Sequence, residues 1–190
     1  ATMMGRLNPL EPPAMTSIYD QHLDRNPANF VALSPVSFVE RSAEVLAGRT
    51  AVIHGSRRYT WSEVHERSAR LAAALRAHGI GRHQTVSTML ANTPEMLEAH
   101  YAVPALNAVL NTLNTRLDAR LIAWQLAHSE SEVLLSDREF SSTIREALDL
   151  LEREHGRTLL VVDVDDPAYA GPGERVGSVD YETWLAGHDP

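Results

Sequence analysis

The chain has 190 residues, of which 44% are hydrophobic and 22% charged, with a net charge of −8 and no cysteine. That is enough apolar material to bury a core, and it excludes a disordered, collagen-like or disulfide-stapled chain. Thiolate nucleophiles and cysteine-based metal sites are excluded with the cysteines.

The first 50 residues read as an irregular segment, because prolines at 9, 12, 13, 27 and 35 interrupt helical periods and Asn-Pro and Pro-Pro pairs mark turns. One short helix is expected over 36–47, ending at Gly48. Residues 51–54 read as a strand, Gly55-Ser56 as a tight turn, and 57–59 as the hairpin partner. Thr60 and Glu63 stand at capping-box spacing, so a helix should begin at Trp61. Val64, Ser68, Leu71, Ala72 and Leu75 recur at helical spacing, and Gly79 is placed to end the helix.

From there strands and helices alternate. Strands are expected over 85–90, 108–113, 132–136 and 158–164, the latter being the last strand. Helices are expected over 94–106, with Pro94 at its first position, then 118–128 and 141–154. The last of these carries Ile144, Leu148 and Leu151 on one face. Strands that are near-continuous apolar runs between helices predict an α/β fold with a mostly parallel sheet flanked by helices. After 165 the chain turns loop-like, with one short helix near 181–186. The expected organisation is thus an irregular segment over 1–50, an α/β subdomain over 51–165, and a loop-rich segment over 166–190.

Few chemical signatures stand out. All 17 basic residues are Arg, so nothing here can complete a Schiff-base site or a Walker-type phosphate loop. With 25 acidic residues and no basic stripe, nucleic acid is not an expected partner. No apolar run approaches the ~18 residues of a membrane span. Residues 1–13 carry one Arg and no apolar stretch, so no secretory signal is read and a cytoplasmic location is expected. The nine histidines form no His-x-x-x-His pair, and His65-Glu66 lacks the second histidine of a zinc helix. His65 and His78 read as solvent-facing. Gly79 and Gly81 lack a third glycine at 84, and Gly171, Gly173 and Gly177 are wrongly spaced for a dinucleotide loop. No Gly-x-Ser-x-Gly elbow exists.

Asp137 and Asp163 end strands, the second followed by Asp165 and Asp166, and ligands of open parallel sheets bind beyond such ends. Asp is also favoured in turns and at helix starts, so loop capping is the expected role. The loops at 91–93 and 111–115 precede helix N-termini whose amides suit an anion.

As a string, the chain resembles the adenylate-forming acyl-CoA synthetases, the AMP-binding superfamily that includes luciferases and the adenylation domains of peptide synthetases. The resemblance runs over about 27–187, from the Asn-Pro at 26–27 through the hairpin and its Tyr59-Thr60-Trp61. The Asn-Thr-Pro-Glu helix start at 92–95 and the Asn-rich turn at 107–114 follow in the family's order. The resemblance implies the N-terminal third of a longer synthetase that joins a carboxylic acid to CoA through an acyl-adenylate. ATP, Mg²⁺ and CoA are then the cofactors, and the remainder of the chain is the principal partner. The family's phosphate loop, magnesium-linked Glu, ribose-binding Asp and C-terminal Lys would all lie later, so no catalytic, cofactor-binding or metal residue is assigned here. The segment should be scaffold, inactive alone, with Met96 and Leu121 in the core. Helix faces and a sheet edge left uncovered should make it self-associate or be marginally stable. The alternative is a free-standing, non-catalytic α/β binding or interaction module.

Overall fold

The computed structural model describes residues 24–31 and 33–190. The prolines at 9, 12 and 13 lie outside these residues. The chain separates into residues 1–33 and a compact unit, 34–190. In the first, 27–29 form a turn in which Asn26 Oδ1 accepts from the Ala28 amide at 2.9 Å, as the Asn-Pro pair predicts.

The compact unit opens with α1 (Pro35–Val45), where Pro35 starts the helix rather than breaking it and Ser34 accepts from the Val36 amide. A two-stranded antiparallel hairpin follows, β1 (Thr50–His54) and β2 (Arg57–Thr60), turned at Gly55 with φ 57°. Then comes α2 (Trp61–Ala77). Its capping box is formed as predicted: Thr60 Oγ1 accepts from the Glu63 amide and Glu63 Oε2 accepts from the Thr60 amide at 2.7 Å. Gly79, at φ 99°, lets the Ile80 amide return to the Leu75 carbonyl and closes the helix.

The alternating part runs β3 (Thr85–Met89), α3 (Pro94–Ala105), β4 (Val109–Thr112), α4 (Ala119–His128), β5 (Ser131–Asp137), α5 (Ser141–His155) and β6 (Leu160–Val164). A short β7 (Val179–Asp180) pairs parallel with β6, so the strand ending at Val164 is not the last. Two residues are too few to show a period, and β7 is a strand only because β6 offers it an edge. The chain ends in α6 (Tyr181–Ala186).

The five strands form one parallel sheet in the order β4-β3-β5-β6-β7. The step from β3 to β4 runs one way across the sheet, and those from β4 to β5 and β5 to β6 run the other. Right-handed crossovers therefore place α3 on one face and α4 and α5 on the other. The core divides accordingly. Leu71, Leu75, Ala99, Val103, Val86, Val133, Leu135, Val162, Tyr181 and Leu185 pack on the first face, and Met89, Ile122, Leu126, Leu134, Ile144 and Leu151 on the second. The helical faces read in α2 and α5 are the buried ones. In α4 the buried stripe is Ala119, Ile122, Ala123 and Leu126. Leu121 is 40% exposed, contrary to its expected place in the core, because it points away from that stripe.

The loop between β6 and β7 is pressed onto the sheet. A Cβ on Gly177 would strike the Val161 carbonyl oxygen, and one on Gly173 (φ 154°) the Arg138 carbonyl oxygen. Asp163 Oδ1 and Oδ2 accept from the Val176 and Gly177 amides, both at 2.9 Å, holding the same loop from below.

Thr60→Ala removes the acceptor for the Glu63 amide and is expected to cost about 1 kcal/mol in chemical denaturation. An unchanged midpoint would mean that the box contributes nothing to α2.

Candidate functional site at the carboxyl edge of the sheet

Strand order reverses beside β3, so the crevice beyond the carboxyl ends of β3 and β5 is where this architecture places ligands. Three chain segments converge near that edge. The hairpin supplies His54 and Arg57, the first turn of α3 supplies Glu95, and the loop after β6 supplies Asp166. Arg57 donates from Nη1 to Glu95 Oε1 at 2.5 Å and from Nη2 to Asp166 Oδ1 at 3.1 Å. His54 Nε2 lies 2.8 Å from Asp166 Oδ2. Glu95 is almost wholly buried, and a buried carboxylate is tolerable only with such a partner. Burial tends to raise the Asp166 pKa. The Ala168 amide, His54 and Arg57 outweigh it and hold the carboxyl below its ordinary range. Beside this cluster, Arg138 Nε meets Asp165 Oδ1 at 2.6 Å, donates from Nη2 to the Tyr169 carbonyl at 2.7 Å, and lies over the Tyr169 ring.

The strand-end aspartates have the capping roles expected of them. Asp137 accepts from the Glu139 amide at 2.8 Å, and Asp163 holds the two amides described above. Burial pushes both carboxyls up in pKa, despite these amides. Asp166 does more, since it joins the loop to the hairpin. The two anion-suited loops differ. Asp118 already occupies the N-terminus of α4, accepting from the Leu121 amide at 2.8 Å. Asn111 turns inward, donating to Ser87 and Ser129. At α3, by contrast, Thr93 makes no cap hydrogen bond. His78 is exposed as expected, whereas His65 is half-buried and lines a cavity with α1 and α3.

Among the described residues, no three His, Asp or Glu side chains are placed to hold a metal ion. The charged groups at the edge are committed to one another, so the arrangement positions loops. His54, Arg57 and Glu95 were not singled out by sequence reasoning. The hairpin stands 109 residues from Asp166, and a salt bridge over that separation leaves no local signal.

A family model described as "AMP-binding enzyme" matches residues 39–187. An acetate–CoA ligase of Humulus lupulus is 43% identical over 175 residues, covering 88% of this chain and 31% of that protein. A peroxisomal benzoate–CoA ligase of Arabidopsis thaliana is 44% identical over 135 residues, covering 71% of this chain and 23% of its own length. The chain thus spans about a third or less of these relatives. Among solved structures, a benzoate CoA ligase from Burkholderia xenovorans LB400 superposes with TM-score 0.68 at 20% identity, over 82% of this chain and 28% of that one. An anthranilate CoA ligase in complex with anthranoyl-AMP gives 0.67 at 22% identity, over 81% and 28%. These structures share the fold.

Arg57→Ala should leave Glu95 buried without its cation and cost about 3 kcal/mol in denaturation. A loss below about 1 kcal/mol would show that the cluster does not hold the hairpin. The lowered pKa of Asp166 fixes a sign for pH. Its stabilisation is complete above the unfolded-state pKa of about 3.9 and is lost as pH falls through the lower folded value. Acid titration followed by NMR should therefore detach the hairpin below about pH 4, and earlier detachment would exclude Asp166 as the controlling group.

Proposed function

Because the chain belongs to the AMP-binding enzyme family, we propose that it is the N-terminal portion of an ATP-dependent acyl-CoA synthetase. In that reaction a carboxylate attacks the α-phosphate of ATP, releasing pyrophosphate, and the CoA thiol then displaces AMP from the acyl-adenylate. The observation that carries the reading is the 43% identity over 88% of the chain to an acetate–CoA ligase nearly three times as long. Relatives named for acetate, butyrate, benzoate and trans-cinnamate support a small carboxylic acid as substrate.

ATP, Mg²⁺ and CoA belong to this reading through the family. The described residues offer no metal-ligand set, and no lysine is present to neutralise phosphate charge, so they do not fit the nucleotide's metal. What these residues do in the reaction is hold the carboxyl edge of the sheet. The subdomain over 51–165 is the frame, and 166–190 is the segment that closes over it. No residue of this chain is proposed as catalytic. No helix of the described residues is long and apolar enough to cross a membrane. The expected cytoplasmic location draws no support from the relatives, several of which are peroxisomal by name.

Self-association belongs to the same proposal. Val109 on the edge strand β4 and Leu121 and Trp124 on α4 are 40–50% exposed, an apolar set that favours cover.

The 190 residues alone should release no pyrophosphate from ATP with acetate, butyrate or benzoate, whereas the longer gene product should do so with at least one of them. Turnover by the short chain overturns the scaffold role. Failure of a longer product to turn over any carboxylic acid overturns the synthetase reading in favour of a non-catalytic module. In sedimentation velocity the short chain should grow in mass with concentration; a monomer at all concentrations removes the self-association.

A further inference from the structure

The core-facing stripe of α4 is Ala119, Ile122, Ala123 and Leu126, and the opposite side of the helix carries a second, outward set. Leu121, Trp124 and His128 stand there at the i, i+3 and i+7 spacing of one helix face. Leu121 is 40% and Trp124 50% exposed, and the His128 ring stacks on the Trp124 indole with 4.8 Å between centroids and 8° between planes. The stack is a preformed aromatic plate on the surface, and tryptophan is among the residues on which interfaces are anchored. Apolar character alone would fit many partners.

Charge selects the occupant. Between 116 and 132, three charged groups are engaged within the chain. Asp118 accepts from the Leu121 amide, Arg120 pairs with Glu154 of α5 at 2.9 Å, and Glu132 accepts from Gln84 at 3.0 Å. Arg116 and Glu130, exposed at opposite ends of α4, make no ion pair among the described residues. Their signs also run against the helix dipole, which favours anions at the amino end and cations at the carboxyl end. A second α4 lying antiparallel relieves both, because each Arg116 then meets the other copy's Glu130 and the two dipoles oppose. A parallel pair would set like charges together. Arg116 and Glu130 lie eight and six residues from Trp124, so the two-fold axis falls at the aromatic plate. We propose that two copies of this chain pair through α4, antiparallel about a two-fold axis at Trp124, with Arg116 of each copy against Glu130 of the other. The pairing rests on the self-association proposed above and gives it a surface and a limit of two copies.

In sedimentation velocity at about pH 8, chosen to keep histidine charge off the face, the 190-residue chain should populate monomer and dimer only. Trp124→Ser changes an exposed residue, so circular dichroism should be unchanged while the dimer weakens about tenfold or more. Arg116→Glu and Glu130→Arg should each weaken it about tenfold, because each sets like charges together at both ends of the contact. Mixed in equal amounts, these two variants should recover the dimer, since every charge contact between unlike copies is again a pair of opposite sign. A parent chain that stays monomeric removes the self-association and this pairing with it. A dimer that survives Trp124→Ser, or a mixture that regains nothing, overturns this surface and leaves the self-association standing. Loss of the dimer on Val109→Lys, with Trp124→Ser harmless, moves the contact to the edge of β4, and growth beyond two copies excludes a closed two-fold pair.

Discussion

Two buried carboxylates on α3 govern how the compact unit is assembled. Glu95 and Glu98 are each 2% exposed, and a carboxylate so far from water must find cations and donors or lose its charge. Neither partner is on α3. Arg57 reaches Glu95 from the hairpin, and Arg67 reaches Glu98 Oε1 from α2 at 2.6 Å. Burial raises the Glu98 pKa, and Arg67 and the Tyr181 hydroxyl pull it back toward the charged form. Tyr181 donates to Glu98 Oε2 at 2.6 Å from a fully buried position at the start of α6. Arg67 also pairs with Glu182, so the same cation fastens α6 to α2 and α3. The hairpin, α2 and the closing segment are therefore all fixed relative to α3.

This arrangement explains how a short antiparallel hairpin is held in place. Two strands alone are marginal in water, and β1 and β2 pair only with each other. Their attachment comes from the turn end, where His54 and Arg57 meet Asp166. That aspartate follows β6, so the hairpin is tied to the carboxyl edge of the parallel sheet. The loops that border the edge are thereby braced by charge pairs with little solvent to screen them. The polar atoms left over are informative for the same reason. Thr93 Oγ1, Glu95 Oε2 and Arg57 Nε are buried there without a hydrogen-bond partner.

The likeness to CoA ligases runs over most of the chain, at 43% identity to one of them. The Tyr59-Thr60-Trp61 element, the Asn-Thr-Pro-Glu helix start and the Asn-rich turn are each local devices. Thr60 is half of a capping box, Pro94 presets the first turn of α3, and Asn107 takes φ 57° to turn the chain toward β4. Such devices identify a fold because they recur together. Chemistry is not written in them.

The sequence by itself determined the alternation of strands and helices, the parallel sheet covered on both faces, the capping box of α2, the Pro94 start of α3, and the buried stripes of α2 and α5. Each of these is set by residues within a few positions of one another, so periodicity and capping spacing suffice to read them. Only the tertiary structure decided that β7 exists, that Leu121 faces outward, and that Arg57 joins Glu95 and Asp166. It also decided that Thr93, placed by sequence at an ordinary helix start, holds an unpartnered hydroxyl beside a cavity. β7 needs the edge of β6, and a salt bridge across more than a hundred residues needs the fold to bring its partners together. Burial of a single hydroxyl depends on what packs above it, and no local pattern in the chain encodes that.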